Sequence, residues 1–408
     1  MESPIFTPLQ IGPVTLRNRV IRSAAFENMA YNNSPSKDLY DYHTAVARGG
    51  VGMTTVAYAA VCRSGLSFRG QLWMREEIVP ALKELTDAIH AEGAKASIQL
   101  GHCGNMTHRA TCGCMPVGAS TGFNLYSPTF VRGLRKEEIA QLVRDFGQAV
   151  RLARKAGFDC VEIHAGHGYL ISQFLSPYTN HRRDEYGGSL ENRMRLMREV
   201  IREVMQAAGD DMGVVVKMNM HDGFKGGMQR SECLEVAREL ERLGVHAIVL
   251  SAGFVSKAPM EVMRGAMPLK TLAHYMDWKH WWLKAGLALA GRLMIPTVPY
   301  SEGYFLEDAK QFRAAVKLPL IYVGGLVSRQ KMEEVLAAGF EGLQMARALV
   351  HDTDFVNKLR SGEVERSGCK HSNYCIGRMY TLEMKCHHCV NRLPASLQKE
   401  IDRAEKTL

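Results

Sequence analysis

Ala156-Gly157-Phe158-Asp159-Cys160-Val161-Glu162-Ile163-His164 reads as the end of a helix followed at once by a short buried strand. A small residue and a glycine close the amphipathic run Lys136 to Ala156, because glycine enters the left-handed conformation that stops a helix. The same unit recurs along the chain. Ala47-Arg48-Gly49-Gly50 leads into Val51 to Tyr58, and Ala91-Glu92-Gly93 into Ala94 to Leu100. Leu243-Gly244-Val245-His246 leads into Ala247 to Ser251, and Ala338-Gly339-Phe340-Glu341 into Gly342 to Ala346. Further strand candidates, Arg19 to Ala24, Val214 to Met220 and Leu320 to Gly324, bring the count to eight. Their nearly unbroken apolar character is that of parallel strands covered by helices. Eight strands alternating with helices predict an α/β fold, a closed (β/α)8 TIM barrel, since an open sheet of that size leaves two edges to protect. A doubly wound sheet would carry a glycine-rich fingerprint after an early strand, but Arg19 to Ala24 runs on into Ala25-Phe26-Glu27-Asn28-Met29.

Two regions stand outside the alternation. Residues 260–304, after strand six, form an inserted helical segment with Trp278, Trp281, Trp282 and a helical run from Leu283 to Leu293. From Arg366 a short tail carries Cys369, Cys375, Cys386 and Cys389 with His371, His387 and His388. The expected organisation is a barrel over residues 1–365, the insert included, and a Cys/His-containing extension over 366–408. The insert is expected to pack on its own barrel or on a second subunit of a homo-oligomer; a substrate lid and a membrane-surface contact are the alternatives.

Composition narrows the function classes. The 408 residues are 46% hydrophobic and 23% charged, which excludes disorder, and no stretch approaches the roughly 20 apolar residues of a membrane span. Ten cysteines are few for this length, and Met1-Glu2-Ser3-Pro4-Ile5-Phe6 has neither a basic nor an apolar leader region, so a reduced, cytoplasmic protein is expected. The net charge of +9 is spread along the chain among acids, without a basic tail, which argues against nucleic acid and for small phosphorylated partners.

In a barrel the chemistry sits at the strand ends. Gly324-Gly325 after strand seven and Ala346-Arg347 after strand eight place backbone N–H groups and a cation where barrels often hold phosphate. Gln99 can donate and accept, as a ring bearing carbonyls and an N–H requires, and Lys217 is a positive charge for a region where electron density accumulates. Lys217 is also hard to explain without a ligand, because an apolar interior does not tolerate an unpaired ammonium. These demands fit a flavin. His164 and His167 can aim two N–H donors at one substrate oxygen, and Tyr169 adds a hydroxyl that can deliver a proton nearby. Tyr58, Cys103 and His221 lie near strand ends with no role assigned.

At this point the chain resembles the old yellow enzyme family of FMN-dependent oxidoreductases. The resemblance starts at Ile5-Phe6-x-Pro8-Leu9-x-Ile11-Gly12 and Leu16-Arg17-Asn18-Arg19. It is densest in His164-Ala165-Gly166-His167-Gly168-Tyr169-Leu170, Gln173-Phe174-Leu175-Ser176-Pro177, Asn180-x-Arg182, Asp184-x-Tyr186-Gly187-Gly188-Ser189 and Asn192-Arg193, and ends near Arg347. The resemblance implies FMN at the barrel mouth, reduced by NAD(P)H. Gln99 and Lys217 would lie at its pyrimidine edge, Gly324, Gly325, Ala346 and Arg347 at its phosphate, and Ala24, Ala25, Ala59 and His164 would be further contacts. His164 and His167 would hold the carbonyl of an α,β-unsaturated substrate, and Tyr169 would protonate the carbon next to it. The implied activity is reduction of the C=C bond.

The chain also departs from the family. Many relatives carry Thr or Cys at the end of strand one, where this chain has Ser23-Ala24-Ala25-Phe26. In the branch that resembles dienoyl-CoA reductases, closely spaced cysteines hold an iron–sulfur cluster; here Cys369-x-x-Ser372-x-x-Cys375, followed by Cys386, has Ser372 in place of one cysteine. No cluster and no metal are therefore expected, nor the second flavin and nucleotide domain of those relatives. Structural thiols lead over zinc, for which Cys386-x-x-Cys389 would supply half a tetrahedral site. Two alternatives remain at this point: a cluster-containing enoyl or dienoyl reductase fed by a partner protein, and a non-catalytic flavin- or zinc-binding protein.

Overall fold

The computed structural model describes residues 3–124, 128–276 and 281–406. Among these, eight parallel strands close into a barrel: β1 (Val20–Arg22), β2 (Met53–Ala60), β3 (Lys95–Gly101), β4 (Cys160–Ala165), β5 (Gly213–Asn219), β6 (Ala247–Ser251), β7 (Leu320–Val323) and β8 (Gly342–Met345). Each pairs with its neighbour in sequence, and β8 returns to β1, where Gln344 lies opposite Ile21. The expected (β/α)8 fold is the one observed. The helices that follow the strands are α1 (Lys37–Arg48), α2 (Val79–Ala91), α3 (Lys136–Lys155), α4 (Arg195–Ala208), α5 (Arg230–Arg242), α6 (Leu306–Ala315), α7 (Arg329–Ala337) and α8 (Phe355–Ser361). No helix among the described residues is long and apolar enough to cross a membrane.

The helix-to-strand unit works as its sequence suggests. Gly50, Gly93, Gly157, Gly244 and Gly339 all have positive φ, between 75° and 100°, so each junction turns through a conformation that other residues resist. Inside the barrel the side chains form layers, because alternate residues of every strand point inward. At the N-terminal end the hairpin Leu9–Ile11/Val14–Leu16 closes the barrel, packing Leu9, Ile11, Val14 and Leu16 against Ile21, Met53, Cys160, Val215, Ala247, Val249 and Ile321. Above this apolar layer come polar side chains, and above those the mouth.

The insert meets the barrel at its C-terminal end, where Glu302 accepts the backbone N–H groups of Val327 and Ser328 at 3.2 and 2.7 Å and Tyr300 donates to the Gly325 carbonyl at 2.9 Å; the rest of it packs on the tail. Its helix Leu269–Tyr275 packs on two tail helices, Tyr374–Arg378 and Ala395–Lys406, and Glu400 accepts the backbone N–H groups of Lys270 and Thr271 at 2.9 and 2.8 Å. Met260 and Met267 share an apolar cluster with Val350, Cys375, Ile376, Met384 and Cys386. Insert and tail are thus joined to each other beside strands β8 and β1. The helix Trp281–Met294 exposes Trp281, Trp282, Leu289 and Leu293, while Trp278 lies outside the described residues.

Two glycine substitutions separate conformation from contact. Gly244→Ala meets no atom within 4 Å, so it should lose only the left-handed cost of about 1–2 kcal/mol. Gly157→Ala should lose more, because its Cβ would stand 2.9 Å from Thr86 Oγ1, which donates to the Ala156 carbonyl at 2.6 Å. Denaturant unfolding of both variants checks this, and equal losses would contradict it.

Candidate active site

Strand β4 carries one inward side chain for each layer. Cys160 belongs to the apolar floor, Glu162 to the middle and His164 to the mouth. The Glu162 carboxylate gathers three donors from three other strands: Lys217 Nζ of β5 at 2.8 Å, Gln99 Nε2 of β3 at 2.6 Å and Gln344 Nε2 of β8 at 2.7 Å. Lys217 also donates to Ser23 Oγ at 3.2 Å, and Ser23 Oγ donates to Gln344 Oε1 at 3.0 Å. This corrects one step of the sequence reading. Lys217 is not an unpaired ammonium, so its burial does not by itself call for a ligand.

Above this polar layer the structure brings His164, His167 and Tyr169 together. The His164 ring centre lies 5.1 Å from that of His167 and 4.6 Å from that of Tyr169. The turn after β4 makes this possible: His167 has φ 58° and Gly168 φ 81°, which folds Tyr169 back over His164. A Cβ on Gly168 would stand 2.6 Å from the Phe254 ring, so this position also needs glycine for space. The turn is held from outside by a hydrogen-bonded chain. Asn219 Oδ1 accepts the His167 N–H at 2.9 Å, Asn219 Nδ2 donates to Asp222 at 2.9 Å, and Ser176 Oγ donates to Asp222 at 2.7 Å. His167 Nε2 is 2.7 Å from Ser251 Oγ at the end of β6.

Protonation follows from burial. Burial, then His167 and Lys217, hold His164 well below the usual histidine range, and burial with Lys217 pushes His167 down to about 3. Both rings are therefore neutral near pH 7. The Gly166 N–H points at His164 Nδ1, 3.5 Å away, which leaves the proton on Nε2 as a donor. Burial raises the Tyr169 hydroxyl above its ordinary value, so it keeps its proton. Neutral N–H donors beside a protonated phenol can polarise an oxygen and supply a proton.

Several residues passed over in the sequence complete the site. Tyr58 stacks on Tyr169 at 5.2 Å and donates to the Gly65 carbonyl at 2.8 Å; a side chain on Gly101 would collide with it. Cys103 packs in the same cluster. His102 Nε2 is 3.1 Å from Ser64 Oγ, which is 3.2 Å from Cys62 Sγ. Phe26 stacks on Phe68 at 4.8 Å, and Phe68 meets Tyr380 of the tail edge-on at 5.7 Å, an aromatic wall. His221 instead lies 3.3 Å from Asp308.

The residues expected at a phosphate lie beyond the ends of β7 and β8. Gly325 has φ 70°, and a Cβ there would stand 2.8 Å from Tyr304. Arg347 donates to Asn373 Oδ1 at 2.6 Å, and no carboxylate among the described residues lies within ion-pair distance of it. Its charge is felt nearby: burial together with Arg347 and Arg366 holds His371 down at about 2. A guanidinium with no carboxylate partner, next to the left-handed backbone of Gly325, could hold a phosphate. Ala24, Ala25 and Ala59 sit at the ends of β1 and β2, and Arg22 Nη2 donates to the Ala25 carbonyl at 3.2 Å. Gln99 and Lys217 lie in the layer beneath the mouth.

Comparison with known proteins gives the family. Residues 4–291 match the NADH:flavin oxidoreductase / NADH oxidase family. The chain is 40% identical over 378 residues to a 4,4'-dithiodibutanoate disulfide reductase of Rhodococcus erythropolis, covering 92% of this chain and 93% of that protein. It is 30% identical over 404 residues to a metal reductase of Desulforamulus reducens, covering 98% of this chain and 55% of the relative, so it spans about half of that protein. Among solved structures, the old yellow enzyme homologue from Zymomonas mobilis superposes with a TM-score of 0.72 at 23% identity over 93% of this chain and 96% of the other.

His102 gives the site a pH signature. Burial pushes its folded-state pKa down to about 3, against about 6.5 for an unfolded histidine. Between these values the unfolded chain binds more protons, so the stabilising contribution is intact above about pH 6.5 and is lost as pH falls towards 3, by up to about 1.4 kcal/mol per pH unit. His102→Gln should flatten the pH dependence of unfolding free energy in that window, measured by denaturant titration; an unchanged slope would show that His102 is not held neutral.

Proposed function

The chain belongs to the NADH:flavin oxidoreductase / NADH oxidase family, FMN-dependent enzymes that draw on NAD(P)H, and we propose that this FMN-dependent oxidoreductase reduces the C=C bond of α,β-unsaturated carbonyl compounds. The observation that carries this reading is the meeting of His164, His167 and Tyr169 at the barrel mouth. FMN, when bound, supplies hydride taken from NAD(P)H. Arg347, Gly324, Gly325 and Ala346 would hold its phosphate, Gln99 and Lys217 its pyrimidine edge, and Ala24, Ala25, Ala59 and His164 would be the remaining contacts. His164 and His167 would hold the substrate carbonyl oxygen by neutral N–H donors, which makes the β-carbon electrophilic. Tyr169 would give the proton to the α-carbon, and the aromatic wall of Phe26, Phe68 and Tyr380 suits an apolar substrate body. A reduced, cytoplasmic setting fits ten cysteines that are all free.

A disulfide is the second substrate class. The Rhodococcus relative is named for one, and Cys103 packs in the same cluster as Tyr58 and Tyr169. The balance is NAD(P)H plus R–S–S–R plus a proton giving NAD(P)+ and two thiols, with Tyr169 as donor to a leaving thiolate. Anaerobic stopped-flow with the NAD(P)H-reduced protein decides between the classes: rapid reoxidation by enones and not by alkyl disulfides supports the first reading, and the reverse supports the second.

Replacing His164 and His167 together with Ala should abolish binding of phenols, whose oxygen mimics the polarised carbonyl, and should cost about 2.7 to 4 kcal/mol of transition-state stabilisation per donor in enone reduction. Unchanged enone turnover would refute their assignment. Tyr169→Phe should leave reduction by NAD(P)H intact and slow reoxidation by an enone about 100-fold or more. A nitroalkene, whose product is a stable anion before protonation, should be slowed less. Equal slowing of both half-reactions would show that Tyr169 packs the site without acting as the acid.

A further inference from the structure

The tail assembles a set of ligands that the redox site does not use, and it is not the cysteine set. One ring nitrogen each of His387 and His388 and one carboxylate oxygen of Glu405 all lie within 4.8 Å of one another. The histidines come from the turn His387–Cys389, and Glu405 from the last turn of the terminal helix Ala395–Lys406. Among the described residues this is the group of histidine, cysteine and acidic side chains whose ligand atoms converge; the thiols of Cys386 and Cys389 do not join it.

Two details go beyond proximity. His387 Nε2 stands 3.4 Å from Glu405 Oε1, and bonds of about 2.0–2.1 Å to a tetrahedral ion place neighbouring ligand atoms roughly 3.3–3.4 Å apart. Yet Glu405 Oε1 is buried and makes no hydrogen bond. A protonated His387 serving as a simple ion-pair partner would point its N–H at that oxygen; here the spacing is met and the hydrogen-bond geometry is not. An unsatisfied buried carboxylate oxygen is costly, and a cation between the three groups removes the cost. Lys370 Nζ, 4.0 Å away, faces the other oxygen, Oε2.

We propose that His387, His388 and Glu405 bind a divalent ion of the zinc class, with water completing a tetrahedron. Two imidazoles and one carboxylate suit a borderline ion, whereas magnesium and calcium prefer all-oxygen sets. Cys386 Sγ lies 3.9 Å from His387 Nδ1, the nitrogen that faces away from Glu405, so the thiol supports the ring without ligating. The ion ties the turn to the terminal helix. That helix grips the insert through Glu400, and the tail holds Arg347 through Asn373, so the site braces the wall beside the redox centre.

The test uses the flavin-loaded chain, freed of metal by chelator and dialysis, then titrated calorimetrically with zinc chloride. One equivalent should bind, with a rise in melting temperature and an X-ray absorption spectrum showing nitrogen and oxygen neighbours without sulfur near about 2.3 Å. His388→Gln, on an exposed side chain, and Glu405→Gln should each abolish both the binding and the thermal shift. If Glu405→Gln fails to fold, His388→Gln alone decides. Absence of zinc binding by the unaltered chain, binding that survives His388→Gln, or a spectrum dominated by sulfur would overturn the assignment.

Discussion

A single carboxylate in the middle of the barrel sets the conditions for everything above it. Glu162 takes hydrogen bonds or ion pairs from β3, β5 and β8 at once, at 2.6 to 2.8 Å, in a layer closed off from water by the hairpin plug below. Removing one partner of such a buried pair typically costs about 3–5 kcal/mol, because the other charge is left without compensation. Strands that meet at one point cannot slide relative to each other. The next inward residue of β4 is His164, so its position follows from the anchor two residues earlier. Lys217 then has two roles to reconcile: it neutralises Glu162, and it presents its positive field upward, where it helps to keep His164 and His167 neutral.

The barrel was legible because its signal is local and repeated. A glycine that must turn left-handed after each helix, followed by an apolar run, leaves a mark in the sequence wherever the chain passes from the outer ring to the inner one, and all five of the junctions read this way carry positive-φ glycines. The insert and the tail left no such mark. Much of their packing is against each other, across about a hundred residues of chain, and the contact between Glu400 and the backbone of Lys270 and Thr271 uses no motif. A helix whose apolar face meets a distant segment looks the same in sequence as one that rests on the barrel.

At the site the same distinction holds. His164, His167 and Tyr169 lie within six residues of each other, and the structure brings them together through the left-handed turn at His167 and Gly168. Glu162, Gln344, Ser251 and Tyr58 come from four strands and meet only when the barrel closes. One of them could have been found: counting back by two from His164 along β4 puts Glu162 on the same inward face, opposite a strand that carries Lys217. The tail offered cysteine spacing as its most conspicuous feature, yet the ligand atoms that converge there are imidazole and carboxylate, because spacing along the chain says nothing about which side chains a terminal helix will return to.

The hairpin Leu9–Leu16 has a consequence for traffic. It fills the N-terminal end of the barrel with apolar side chains, so whatever reaches His164 must arrive through the C-terminal opening and leave by it. With one doorway and one floor, a donor of electrons and an acceptor of electrons have to take turns. A surplus of either then obstructs the other, and the pace of a full cycle depends on how quickly the first visitor departs.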